Sequence, residues 1–198
     1  MNSAADQSNA SDYLRAFIAI DTNAQIRQKL VHAQEELRRI DDGVRWVAPE
    51  HMHFTLAFLG NIPRGIVPAV ATEMDATGSS SSAFLCDVAG LGFFGSRNSP
   101  RVIWAGVSSV PALLAMQKRL CSGMETLGIP QEDRPFKPHL TLGRVRSIRN
   151  SGPFMRKLES HAGTSYGQVL VDGILLLQSS LSPNGAEYSL LHRASIGA

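Results

Sequence analysis

One four-residue pattern occurs twice: His53-Phe54-Thr55-Leu56 returns as His139-Leu140-Thr141-Leu142. Each copy closes the same longer run of a short apolar segment, a long amphipathic segment and then H-x-T-L. In the first half, Leu14 to Ile20 is short and apolar, which predicts a buried strand. Asp21, Thr22 and Asn23 follow as good helix N-caps. Ile26, Leu30, Ala33, Leu37 and Ile40 then recur at helical spacing, which predicts an amphipathic helix over 24–40. In the second half, Arg101 to Val107 predicts the strand. Pro111 opens a helix to Leu127 with Leu113, Leu120, Met124 and Leu127 on its core side. From Ile20 to His53 is 33 positions, and from Val107 to His139 is 32. Two halves of one supersecondary unit give such an echo.

The segments between are read the same way. Short strands are expected at Val44–Val47, His53–Leu59, Phe84–Val88, His139–Val145, Tyr166–Val171, Ile174–Leu181 and Ala186–His192. Pro63 and Arg64 open a helix with Ile66, Val67, Val70 and Met74 on one face, and Pro153–His161 predicts a short one. Gly78–Ser82 and the glycine-rich Ala89–Pro100 read as loops, and Pro183-Asn184-Gly185 as a hairpin turn. Residues 1–12 carry neither a basic nor an apolar leader segment and read as a disordered tail, leaving 13–198 as a single domain. A chain of 198 residues is enough for one core, or for two small lobes sharing one.

Composition excludes more than it selects. Nineteen basic against 17 acidic residues leave a net charge of +2, too small a field to mark a nucleic-acid binder by itself. The densest basic stretch is Arg134, Lys137, Arg144, Arg146 and Arg149. Cys86 and Cys121 stand outside any zinc-finger spacing and read as buried free thiols. No apolar run reaches the length needed to span a bilayer, so the expected location is the cytoplasm.

The repeated pattern carries the chemistry. On a strand, residues i and i+2 share a face, so His53 and Thr55 point one way while Phe54, Leu56 and Phe58 point into a core. His139 and Thr141 likewise share a face, with Leu140 and Leu142 behind them. Two imidazoles and two hydroxyls converging in one cleft suit the opening of a cyclic phosphodiester. One ring takes a proton from water and the other protonates the departing ribose oxygen. Imidazole titrates at about 6.5, so one ring is neutral and one charged near neutral pH. The hydroxyls donate hydrogen bonds to the non-bridging oxygens. This donor set requires no cofactor and no metal. The residues alone leave open which histidine is acid and which is base.

The chain resembles the 2H phosphoesterase superfamily, and within it the RNA 2′,3′-cyclic phosphodiesterases, also called 2′-5′ RNA ligases. The resemblance runs through Arg15–Ile20, Arg45-Trp46-Val47, His53–Gly60, Gly92-Phe93-Phe94, Pro100–Trp104, Phe136–Arg144, Ser180-Leu181, Gly185 and Tyr188. It implies an α+β, bilobal fold with two pseudo-symmetric antiparallel sheets lining a central cleft and helices outside. It also implies His53 as proton donor, His139 as proton acceptor and a 2′-phosphomonoester product. The partner is then RNA with a 2′,3′-cyclic phosphate end, or a nucleotide cyclic phosphate, bound by a monomer. Run backwards, the same site joins a 2′-phosphate end to a 5′-hydroxyl. Two alternatives share the fold: action on another small cyclic phosphate, and non-catalytic nucleotide or RNA binding.

Further residues carry two readings each. Arg144 lies five positions after His139, so strict alternation turns it away from the site, whereas a bulge at Gly143 re-aims it towards a phosphate. Lys137 and Arg134 either guide an RNA phosphate or form a solvated face. Phe94 and Phe136 either stack on a base or belong to the core. His51 and His53 form an H-x-H that lacks a recognisable third metal ligand. His32, His161 and His192 read as surface or structural histidines.

Overall fold

Alternation of buried and more exposed positions builds the strands, the starts of both H-x-T-L segments among them. The computed structural model describes residues 12–182 and 185–197. The expected N-terminal tail, and Pro183 and Asn184 of the expected hairpin turn, lie outside the described residues apart from Asp12. The order is β1 (Tyr13–Asp21), α1 (Ala24–Arg38), β2 (Val44–Trp46), β3 (His53–Pro63), α2 (Val67–Ser79), β4 (Phe84–Ser96), β5 (Ser99–Val107), α3 (Pro111–Thr126), β6 (His139–Val145), α4 (Ser151–Ser160), β7 (Ser165–Val171), β8 (Gly173–Ser182) and β9 (Gly185–Ser195). Asn23 caps α1 as expected, its side chain accepting from the Ile26 amide at 2.9 Å.

The strands form an antiparallel sheet in the order β7-β4-β5-β6-β3-β1-β8-β9, with β2 added beside β6. That order is palindromic about its centre. The half β7-β4-β5-β6 mirrors the half β9-β8-β1-β3, and these halves are the two expected sheets. They join through one partner pair, Phe54 opposite Leu140, both fully buried. The long helices cross over. Helix α1 follows β1 yet packs against β7 of the other half, and α3 follows β5 yet packs against β3. Helix α2 covers β8 and β9, and α4 covers β4. One apolar core runs through both halves, from Ile18 and Ile20 of β1 to Val169 and Val171 of β7.

The structure departs from expectation at three places. The glycine-rich stretch after Val88 continues as strand to Ser96 and pairs with β5 as a hairpin. Glycine is needed there for close approach, since a Cβ on Gly92 would lie 2.3 Å from the Trp104 ring laid across it. Helix α2 starts at Val67, after β3 has run on to Pro63 and a 3-10 turn over Arg64–Ile66, and it ends at Ser79, so Gly78 and Ser79 of the expected polar loop belong to it. Phe58, expected in the core, is 56% exposed. A bulge described below turns it over.

Candidate active site

The central pair sets the site. With Phe54 opposite Leu140, one step along each antiparallel strand sets His53 across from Thr141, and Thr55 across from His139. Phe54, Leu56, Leu140 and Leu142 are buried behind, while both histidines and both threonines are half-buried on the opposite face. His53 and His139 are therefore diagonal neighbours across the seam, a relation that separates backbone positions by about 7–8 Å. The expected four-residue constellation is brought together.

Both motifs contain the same irregularity. Along β1, Phe17, Ile18, Ala19, Ile20 and Asp21 sit opposite Phe58, Ala57, Thr55, Phe54 and His53, which leaves Leu56 unpaired. Along β5, Val102, Ile103, Trp104, Ala105 and Gly106 sit opposite Arg144, Gly143, Thr141, Leu140 and His139, which leaves Leu142 unpaired. One extra residue reverses the alternation beyond it. Leu56 and Ala57 are thus both buried, as are Leu142 and Gly143, and the fifth residue after each histidine returns to the cleft face. That residue is Phe58 in one half and Arg144 in the other. Gly143 permits the turn, because a Cβ there would lie 2.5 Å from Val44 Cγ1.

Each bulge is held from behind by a glutamine on the crossing helix. Gln34 of α1, 4% exposed, donates from Nε2 to the Leu142 and Val47 carbonyls, both at 2.9 Å. Gln117 of α3 donates from Nε2 to the Leu56 carbonyl at 3.4 Å. A bulge frees backbone groups from the ladder, and a buried carbonyl needs a donor.

The two imidazoles have different surroundings. His139 Nδ1 lies 2.7 Å from the Lys137 carbonyl. A carbonyl only accepts, so Nδ1 carries the proton and the neutral ring keeps its lone pair on Nε2. Phe94 meets this ring edge-on, centroids 4.8 Å apart. His53 stacks on Phe17 at 4.9 Å and meets Tyr188 edge-on at 5.2 Å. Burial among these rings lowers the His53 pKa to about 4. Asp21 and a hydrogen bond to the His51 backbone pull the value up, and the His51 ring pushes it down.

The sequence matches the LigT like Phosphoesterase family over residues 20–104 and 107–188. The chain belongs to the LigT-like phosphoesterases. It is 31% identical over 179 residues, 90% of its length and 94% of the relative's, to a Thermotoga maritima protein named RNA 2′,3′-cyclic phosphodiesterase. A Methanothermobacter thermautotrophicus protein of the same name is 30% identical, with 89% and 95% covered. Among solved structures, a Thermus thermophilus protein superposes with a TM-score of 0.80 at 29% identity, covering 92% of this chain and 98% of that one. Escherichia coli LigT complexed with 3′-AMP does so with 0.77 at 27% identity, covering 94% and 99%.

Other candidate positions of this LigT-like chain resolve from the structure. Arg144 is exposed on the cleft face, and Phe94 buttresses His139. Phe136 packs against the core, and Arg134 pairs with Glu132 at 2.8 Å. Lys137 is exposed, and its carbonyl holds His139. His51 lies in a 3-10 turn at Pro49–His51, ahead of the strand, with its ring edge-on to Tyr188 at 4.8 Å. His161 bridges Glu36 at 2.9 Å and Tyr166 at 3.1 Å, and His192 pairs with Asp75, both structural arrangements. Cys86 and Cys121 are free, the first buried and the second half-buried. No helix among the described residues is long and apolar enough to cross a membrane. Sequence reasoning assigned no role to Phe17, Tyr188, Gln34 or Gln117. Gln34 did leave a signal, as a polar residue within the buried stripe Ile26, Leu30, Ala33, Leu37.

Proposed function

We propose that this chain hydrolyses RNA 2′,3′-cyclic phosphate ends to 2′-phosphomonoesters, with His139 as base, His53 as acid and no metal in the chemistry. The observation that carries the reading is the seam register, which sets an imidazole and a hydroxyl from each strand on one cleft face. His139 Nε2 accepts a proton from water as its oxygen attacks phosphorus. The P–O3′ bond breaks, and His53 delivers its proton to O3′. Thr55 and Thr141 donate hydrogen bonds to the non-bridging oxygens, and Arg144 adds a positive charge on the same face. His53 is neutral in the empty cleft at pH 7, and the entering phosphate anion favours its charged form. A ribose 5′-hydroxyl in place of water leads to a 2′-5′ linkage by the same proton transfers. The names of the relatives support the substrate class.

The test is hydrolysis of a nucleoside 2′,3′-cyclic phosphate by purified protein in EDTA. His53→Ala and His139→Ala should each lower kcat by about 10²–10⁴-fold, the usual worth of general acid–base groups. Undiminished turnover in both variants, or loss of wild-type turnover on chelation, overturns the reading.

A further inference from the structure

The two histidines face different residues across their ladders. The halves correspond pair by pair. Thr55, Phe54 and His53 of β3 sit opposite Ala19, Ile20 and Asp21 of β1, and Thr141, Leu140 and His139 of β6 sit opposite Trp104, Ala105 and Gly106 of β5. His53 thus has a carboxylate residue directly across from it, and His139 has a glycine. A side chain at the second position would force the backbone to shift, because a Cβ on Gly106 would lie 2.8 Å from the Ala89 carbonyl oxygen. Directly opposed residues share a face, with Cβ atoms about 4.5–5.5 Å apart. That is close enough for an opposite charge to favour the charged form of a ring. The carboxylate is held in place: the Thr22 amide donates to Asp21 Oδ1 at 2.8 Å, and Arg27 of α1 donates to the same oxygen. The titratable groups around His53 are Asp21 of β1, Arg27 of α1, His51 ahead of the strand and Tyr188 of β9, with His139 diagonal across the seam. Among the described residues Asp21 is the one carboxylate in that set. Burial, the His51 ring and Arg27 all oppose a proton on His53, and Asp21 is the largest influence in its favour.

We infer that Asp21 is a positioning residue of the proposed hydrolysis, keeping the proton on His53 until O3′ takes it, so that His53 rather than His139 is the acid. The inference rests on that reading and supplies the asymmetry that two like motifs lack. The neutral His139 ring, its Nδ1 tied to the Lys137 carbonyl, offers Nε2 to the proton of water. Over one turnover His53 gives a proton to O3′ and His139 gains one from water. Asp21 neither gains nor loses one, and its charge reaches the reaction through His53.

The experiment removes the charge and keeps the shape. Asp21→Asn retains the volume and an acceptor for the Thr22 amide. It should lower kcat/KM for a nucleoside 2′,3′-cyclic phosphate about tenfold near neutral pH. It should also lower the NMR midpoint of the His53 ring in the nucleoside 2′-phosphate complex by about one unit, the low end for a facing charge, because Arg27 shares the carboxylate. Asp21→Glu should restore part of both. Arg27→Gln removes an opposing charge, so the His53 midpoint should move the other way. Lowered turnover in Asp21→Asn with the midpoint unmoved would make Asp21 merely structural and overturns the inference, as would full turnover in that variant. A midpoint that falls in both Asp21→Asn and Arg27→Gln overturns it too. Wild-type protein that turns over no cyclic phosphate would end the phosphodiesterase reading, while the midpoint in Asp21→Asn would still decide whether Asp21 governs the proton on this ring.

Discussion

The proposed acid, His53, sits in a place that discourages its charge. Stacked on Phe17 and edged by Tyr188, the ring loses water that would solvate imidazolium, and its pKa falls to about 4. The direction of the effect fixes what should be measured. Folding holds His53 neutral, so stability from this ring is full above its unfolded value of about 6.5 and drains as pH falls through 4. A bound phosphate anion acts oppositely, and by linkage each unit it adds to the pKa is tenfold tighter binding to the protonated form. NMR titration of the His53 ring should give a midpoint near 4 in the free protein and at least one unit higher with a nucleoside 2′-phosphate bound. A midpoint unmoved by ligand would remove His53 from the acid role. The acid limb of kcat/KM should likewise fall near 4, and it belongs to the histidine pair rather than to one ring.

At the scale of elements, the paired bulges decide what the cleft contains. Without the unpaired Leu142, Arg144 would point away from His139, and without the unpaired Leu56, Phe58 would enter the core. Gln34 fastens the Leu142 bulge from inside the protein. Gln34→Leu keeps the volume and removes both donated bonds, leaving two carbonyls without this donor. It should cost about 1–3 kcal/mol in stability. It should also lower kcat/KM by about tenfold at temperatures where the variant remains fully folded, because Thr141 directly precedes the loosened Leu142 and Arg144 is aimed by the same bulge. A lowered Tm with unchanged kcat/KM would show that the bulge persists without its glutamine. The same bulges mark the limit of what the sequence discloses. His53, Thr55, His139 and Thr141 were readable because period-two alternation is intact across those three-residue stretches. Phe58 was misplaced because an extra residue leaves no mark in the pattern when leucine and alanine, or leucine and glycine, both suit a buried position. Arg144 could be posed only as a choice, since Gly143 permits a bulge without requiring one. The β4–β5 hairpin was hidden for a related reason: a glycine that lies beneath an indole ring, as Gly92 does, looks like a glycine of a loop.

For the whole molecule, the crossing helices matter more than the seam. One pair, Phe54 and Leu140, joins the half-sheets, and a connection so narrow suggests two units able to open separately. The packing points the other way. Helix α1 leaves β1 and covers β7, while α3 leaves β5 and covers β3, so each half-sheet is shielded by a helix from the other half. Pulling the halves apart would expose Ile26, Leu30 and Leu37 on α1 together with Leu113, Met116 and Leu120 on α3. Each such side chain contributes about 1.5–3 kcal/mol by burial, which far exceeds what one strand pair supplies. Unfolding should therefore be a single cooperative transition. Both tryptophans, Trp46 and Trp104, lie on the β6 side of the seam, whereas far-ultraviolet circular dichroism reports on both halves. Guanidinium titrations followed by the two signals should coincide in midpoint and slope. A dichroism change continuing after the tryptophan signal is complete would mean that the β1–β3–β8–β9 half folds alone, and that the cleft is a joint between two bodies.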